Sequence, residues 1–158
     1  MNELDDLYQE VILDHQRNPR NYARLPTANR QAEGANPLCG DQVTVYLDVK
    51  DGIIRNISFE GEGCAIAKAS ASMMTSVIKG KSLAEASDTF KRFHQMITDG
   101  QDPCFDLEAM GKLAVFSGVN AFPVRVKCAS LAWHTLNAAM HKPEATAATD
   151  EAKKDPEK

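Results

Sequence analysis

The chain has 158 residues, 43% of them apolar, with 18 basic and 22 acidic side chains that leave a formal charge of -4. One hydrophobic core is the default at this size, and the acidic balance carries no electrostatic footprint for nucleic acid, so protein or small-molecule partners are expected. No apolar run approaches the roughly 20 residues of a membrane span. The opening MNELDDLYQE is too acidic for a signal or transit peptide, which predicts no membrane partner and a cytoplasmic location.

Leu4, Leu7, Tyr8, Val11, Ile12 and His15 form the stripe of an amphipathic helix that Asn18-Pro19 should stop. Residues 19 to 38 carry Pro19, Pro26 and Pro37 with little periodicity, and predict an extended segment able to pair with a sheet edge. Strict alternation follows, with Val43, Val45, Leu47 and Val49 on one face. Asp51-Gly52 is a type I' hairpin signal, and Ile53, Arg55, Ile57 and Phe59 are expected to continue with period two on the returning strand.

Gly61-Glu62-Gly63 ends that strand, and Cys64 opens a helix with Ile66, Ala69, Met73, Met74 and Val77 along one stripe before Gly80. Ser82-Leu-Ala-Glu85 reads as a capping box for a helix that turns Leu83, Ala86, Phe90, Phe93 and Ile97 inward and closes at Asp99-Gly100. QDPCFD reads as a loop, Leu107 to Phe116 as a short helix and Gly118 to Asn120 as a turn. Pro123 suits the first turn of a last helix carrying Leu131, Ala132, Trp133, Leu136 and Met140. The order of elements predicts one α+β domain over residues 1–141. Residues 142–158, with no aliphatic side chain larger than alanine, read as a disordered charged tail.

The chemistry-bearing residues are cysteines. Four occur, Cys39, Cys64, Cys104 and Cys128, and none forms a C-x-x-C pair, so any shared site must be assembled by the fold. Cys39 and Asp41 would point to one side if the backbone were extended, with Gly40 permitting close approach. The alternative is a small buried thiol followed by a turn aspartate. Cys64 sits where a helix begins, and the positive end of the dipole favours a thiolate there. It could equally pack inward behind two glycines that only turn the chain. Cys128 has Arg125 and Lys127 beside it, either as solvated cations or as charges that offset gathered thiolates. Together, three thiolates and a carboxylate would complete a tetrahedral zinc shell.

The stretches LDDLYQEVILDHQRNPRNY, NPLCGDQVTVYL, FEGEGCAIAKASASMM and FPVRVKCASLAWHTL together resemble the SufU branch of the IscU/NifU-N-terminal family. The resemblance implies an IscU-type fold, a three-stranded antiparallel sheet packed by helices with a metal site at one end. It implies Cys39, Asp41, Cys64 and Cys128 as Zn2+ ligands and Cys39 as the sulfur acceptor. It further implies a zinc-dependent sulfurtransferase that takes persulfide sulfur from a PLP cysteine desulfurase of the SufS kind, for iron-sulfur cluster assembly with downstream SUF proteins.

Two alternatives remain beside that reading. An IscU-type scaffold could hold a 2Fe-2S cluster on the same side chains, although such proteins have histidine directly before the last cysteine where this chain has Lys127. A purely structural zinc site is the other, against which Asp41 counts as an exchangeable ligand. Cys104, His94 and His134 are expected to lie outside the site, and His15 within the packing of the first helix. The serines of KASASMMTS are expected to form a close-packing face with no base placed to activate them.

Overall fold

A computed structural model describes residues 3–37, 40–99 and 107–141. Helix α1 (Glu3–Arg17) is followed by strands β1 (Arg30–Asn36), β2 (Asp41–Lys50) and β3 (Ile53–Glu62). Helices α2 (Ala65–Ile78) and α3 (Leu83–Asp99), a 3-10 run (Leu107–Ala121) and α4 (Pro123–Met140) complete the order. The three strands form one antiparallel sheet in the order β1-β2-β3, the α+β architecture anticipated above.

The β2–β3 hairpin turns through Asp51 and Gly52, both at positive φ (55° and 76°), as a type I' turn demands. Val43, Val45, Leu47 and Val49 face the core as their alternation predicts, and Asp41 belongs to the same face. The returning strand departs from strict alternation. Val49 pairs with Ile54 and Asp48 with Asn56, a β-bulge that turns Arg55 out to solvent and brings Ile54 inward. One extra residue on one strand shifts the faces on either side of it, and composition carries no signal of where it falls.

The segment before β1 does pair with a sheet edge. Asn21 and Ala23 exchange backbone hydrogen bonds with Phe59, both at 3.0 Å, and so cover the free side of β3.

Helix α4 lies across β1 and β2, and it comes close because Gly34 has no side chain. A Cβ there would strike the Thr135 hydroxyl. Trp133 stacks on Phe93 at 4.4 Å, and its indole N–H donates to Ser70 Oγ at 3.2 Å. Ser70 in turn donates to the Ala129 carbonyl at 2.6 Å. These bonds tie α2 to α4, and with them the two helices that carry Cys64 and Cys128. The capping box forms reciprocally, Ser82 Oγ accepting from the Glu85 N–H and Glu85 from the Ser82 N–H, each at 3.0 Å.

The segment read as a short helix and then a turn is instead a run of 3-10 turns reaching Ala121, with a kink at Gly111 (φ 57°, ψ -129°). Met110, Leu113, Val115, Phe116 and Val119 are buried along it, so close tertiary packing holds a geometry whose own hydrogen bonds are poor. Residues 100–106, with Cys104 and its loop, lie outside the described residues, as do 142–158.

Candidate metal centre

Three of the four anticipated ligands converge. Among the described residues, Asp41, Cys64 and Cys128 are the one group of three or more such side chains whose donor atoms meet, all within 4.8 Å of one another. Cys39 lies outside the described residues. Each of the three comes from a different element, which is why spacing alone did not join them.

Asp41 opens β2 on its inward face and is 1% exposed. Its Oδ1 accepts the Cys64 backbone N–H at 2.9 Å, and its Oδ2 stands 3.9 Å from Cys64 Sγ. Cys64 is the N-cap of α2, half-buried, with Sγ accepting the Ala67 N–H at 3.4 Å. Cys128 sits in the second turn of α4 and is 3% exposed.

Gly63 makes the junction possible. A Cβ there would lie 2.8 Å from Asp41 Oδ1, so only glycine lets the β3–α2 corner pass so close to the carboxylate. Reading the glycines of GEG as chain-turners missed this, and the signal lay in which residue they had to pass.

Gly40 works otherwise than expected. Its φ is +74° with no atom of the described residues within 4 Å of a would-be Cβ, so it serves a left-handed turn. That turn closes with the Gly40 N–H on the Asn36 carbonyl at 2.9 Å, so the condition of an extended backbone through Gly40 is not met.

Among the described residues Asp41 pairs with no cationic side chain. A buried carboxylate held by one backbone N–H and flanked by two sulfurs is costly without positive charge. The donor set, two sulfurs and a carboxylate oxygen, suits a borderline ion such as zinc. Both cations named beside Cys128 are exposed. The Arg125 guanidinium stacks over the Phe122 ring at 4.4 Å, while Lys127 points to solvent.

Tyr8, which sequence periodicity assigns to the helix stripe alone, also stands by this centre. Burial raises the pKa of its phenol above the ordinary value, Arg125 opposes that shift, and Cys64 and Cys128 add to it. No local pattern could have shown this, because Tyr8 and the two cysteines belong to three different helix regions, α1, the start of α2 and α4.

Ser72 differs from expectation. Its hydroxyl is 2.6 Å from His15 Nδ1 and accepts the Arg20 N–H at 2.7 Å. Both side chains are buried, so the pair joins α1 and the following turn to α2 and offers no accessible nucleophile. His94 and His134 form an aromatic group with Phe90, with the two imidazole centres 5.3 Å apart.

The sequence profile of the NifU-like N-terminal domain matches residues 7–129. The chain is 41% identical over 142 residues to the zinc-dependent sulfurtransferase SufU of Bacillus subtilis, an alignment covering 89% of this chain and 94% of that protein. It is 37% identical over 136 residues to the iron-sulfur cluster assembly scaffold protein IscU of Thermotoga maritima, covering 86% and 94%. The crystal structure of a putative iron-sulfur cluster assembly scaffold protein for the SUF system from Fervidobacterium islandicum superposes with a TM-score of 0.76. It shares 35% identity and covers 83% of this chain and 94% of that one. With its cysteine-aspartate centre at the junction of sheet and helices, and a match spanning most of its length, this chain belongs to the NifU-like N-terminal domain family.

Proposed function

We propose that the protein is a zinc-dependent sulfurtransferase of iron-sulfur cluster assembly, taking sulfur from the persulfide of a PLP cysteine desulfurase. The observation that carries this reading is the buried Asp41, fixed by the Cys64 N–H between the sulfurs of Cys64 and Cys128. Those three residues and Cys39 would hold zinc. Zinc there keeps thiolates deprotonated and adds no redox chemistry of its own.

The chain's own residues then do the work. A carboxylate is a more exchangeable ligand than a thiolate, so the set is suited to opening and reclosing. The Cys39 thiolate attacks the outer sulfur of the donor persulfide. The donor's S–S bond breaks, a new S–S bond forms on Cys39, and the donor cysteine leaves as thiolate, with no net electron transfer.

The likeness to scaffold proteins supports a second reading, in which the same side chains carry a 2Fe-2S cluster. Lys127, in the place where IscU-type proteins have histidine, favours transfer over scaffolding.

Metal analysis of the purified protein, combined with a desulfurase assay on L-cysteine, tests the proposal. Zinc at one equivalent, faster desulfurase turnover and a persulfide on Cys39 that vanishes in Cys39→Ser are expected. Zinc without acceleration or persulfide would overturn transfer, and a stable cluster passed to apo-acceptors would install the scaffold reading instead.

A further inference from the structure

The hydroxyl of Tyr8 is buried and, among the described residues, has no hydrogen-bond partner. Its ring packs edge-on against Phe116 with centroids 5.9 Å apart, a contact that phenylalanine would make equally well. The oxygen atom therefore adds nothing to the packing, and an unpaired buried hydroxyl lowers stability. An unpaired buried donor on a side chain that is itself only half-buried calls for a second role.

Its surroundings indicate one. Tyr8 lines a groove of about 520 Å³ together with Ile12, Ile66, Phe122 and Arg125. Ile66 is two residues beyond Cys64, and Arg125 three residues before Cys128, so the groove borders the helix starts that carry the two cysteines. Its rim is apolar, with Leu13 50% and Phe122 48% exposed, and its charged wall is a guanidinium. A passage with apolar edges, one cation and one free O–H donor is matched to a soft anion.

We propose that the Tyr8 hydroxyl is the hydrogen-bond donor that positions an anionic sulfur, a terminal persulfide or thiolate, as it reaches the metal centre along this groove. The proposal rests on the sulfur-transfer reading and names the residue that receives the sulfur before exchange. Tyr8 is a positioning residue: no bond is made or broken at its oxygen. Arg125 on the groove wall supplies the countercharge.

The test uses the full chain loaded with cobalt, whose sulfur-to-metal charge-transfer absorption reports thiolate ligation, and titrates it with 2-mercaptoethanol. No desulfurase is present, so failure of persulfide transfer to Cys39 and failure of this proposal are read separately. Tyr8→Phe is expected to take up cobalt with unchanged stoichiometry and to melt no lower than the parent. It should bind the added thiol roughly ten-fold more weakly, the usual scale of a lost outer hydrogen bond. Equal thiol affinity in the two proteins would overturn the proposal, and so would absence of added-thiol absorption in the parent. A lower melting temperature or lost cobalt in Tyr8→Phe would also overturn it, because the hydroxyl would then serve the resident fold or ligand set.

Discussion

Helices α2 and α3 begin in different ways. At α3 the sequence neighbours Ser82 and Glu85 satisfy each other's backbone N–H groups in the open, and the acid is held below its ordinary pKa by those bonds. At α2 the same two jobs are divided between distant residues. Cys64 caps with a sulfur at 3.4 Å, and Asp41, brought from β2, takes the part of the box acid by accepting the Cys64 N–H at 2.9 Å. Sulfur is a weak acceptor, so α2 keeps a poorer cap than serine would give. What the poorer cap retains is a thiol at a helix N-terminus, beside a buried carboxylate. The α3 start is built for stability, and the α2 start gives up part of its own stability for a candidate ligand set.

Exchanging the two solutions is the strongest way to break this comparison. Cys64→Ser gives α2 the better cap, so the metal-free protein should be unchanged or stabilised, by at most about 1 kcal/mol. Its zinc affinity should fall by roughly a hundred-fold, the share of one ligand in a four-ligand site. Competition with a chromophoric chelator, alongside melting of the metal-free form, checks both halves. A variant that melts lower without metal would mean the thiol is structural.

Gly63→Ala should act on the Asp41 carboxylate without replacing a candidate ligand. Its Cβ would lie 2.8 Å from Asp41 Oδ1, so the carboxylate must turn and release the Cys64 N–H. A destabilisation of about 1–2 kcal/mol is expected. Zinc binding should weaken roughly ten-fold, as for other lost outer-shell supports. Denaturant melts and zinc titration of the one variant should move together, and a loss of stability with intact zinc affinity would separate corner from centre.

At α3 the effect should be confined to stability. Ser82→Ala removes the hydroxyl half of the box and should cost about 1 kcal/mol with no change in zinc affinity. Any shift in metal binding would show that the two helix starts are coupled.

The smallest effect concerns the middle of α2, where Ser72 meets His15. Burial first, and Arg20 second, lower the His15 pKa from its ordinary 6.5. The unfolded chain thus binds a proton that the folded chain resists. Stability from this group is whole above 6.5, declines as pH falls through the window below it, and levels off beneath the folded value. In thermal melts between neutral and mildly acid pH, His15→Gln should show a shallower decline than the parent. Parallel declines would place the acid sensitivity elsewhere.

Much of the scaffold was legible in the chain because it rests on local periodicity. Val43 to Val49 alternate, Asp51-Gly52 forces a hairpin, and Ser82 with Glu85 makes a box. In each case the interacting partners are a few residues apart. The bulge that exposes Arg55 and the 3-10 run beyond Leu107 were not legible, since packing against the rest of the core decides both.

The ligand residues sit between these cases. Asp41, Cys64 and Cys128 could be named from their motifs through a family resemblance, while each one taken alone read as well as a turn residue or a small buried thiol. Composition and order of residues therefore determined the hairpin, the helices and the identity of the candidate ligands. Tertiary structure alone decided that a carboxylate from β2 meets the N-cap N–H of α2 and a thiol from α4. It also set Gly63 beside that meeting point and left the Tyr8 hydroxyl without a hydrogen-bond partner among the described residues. The physical reason is distance along the chain: contacts between elements depend on how sheet and helices pack, and no residue's neighbours in sequence encode that packing.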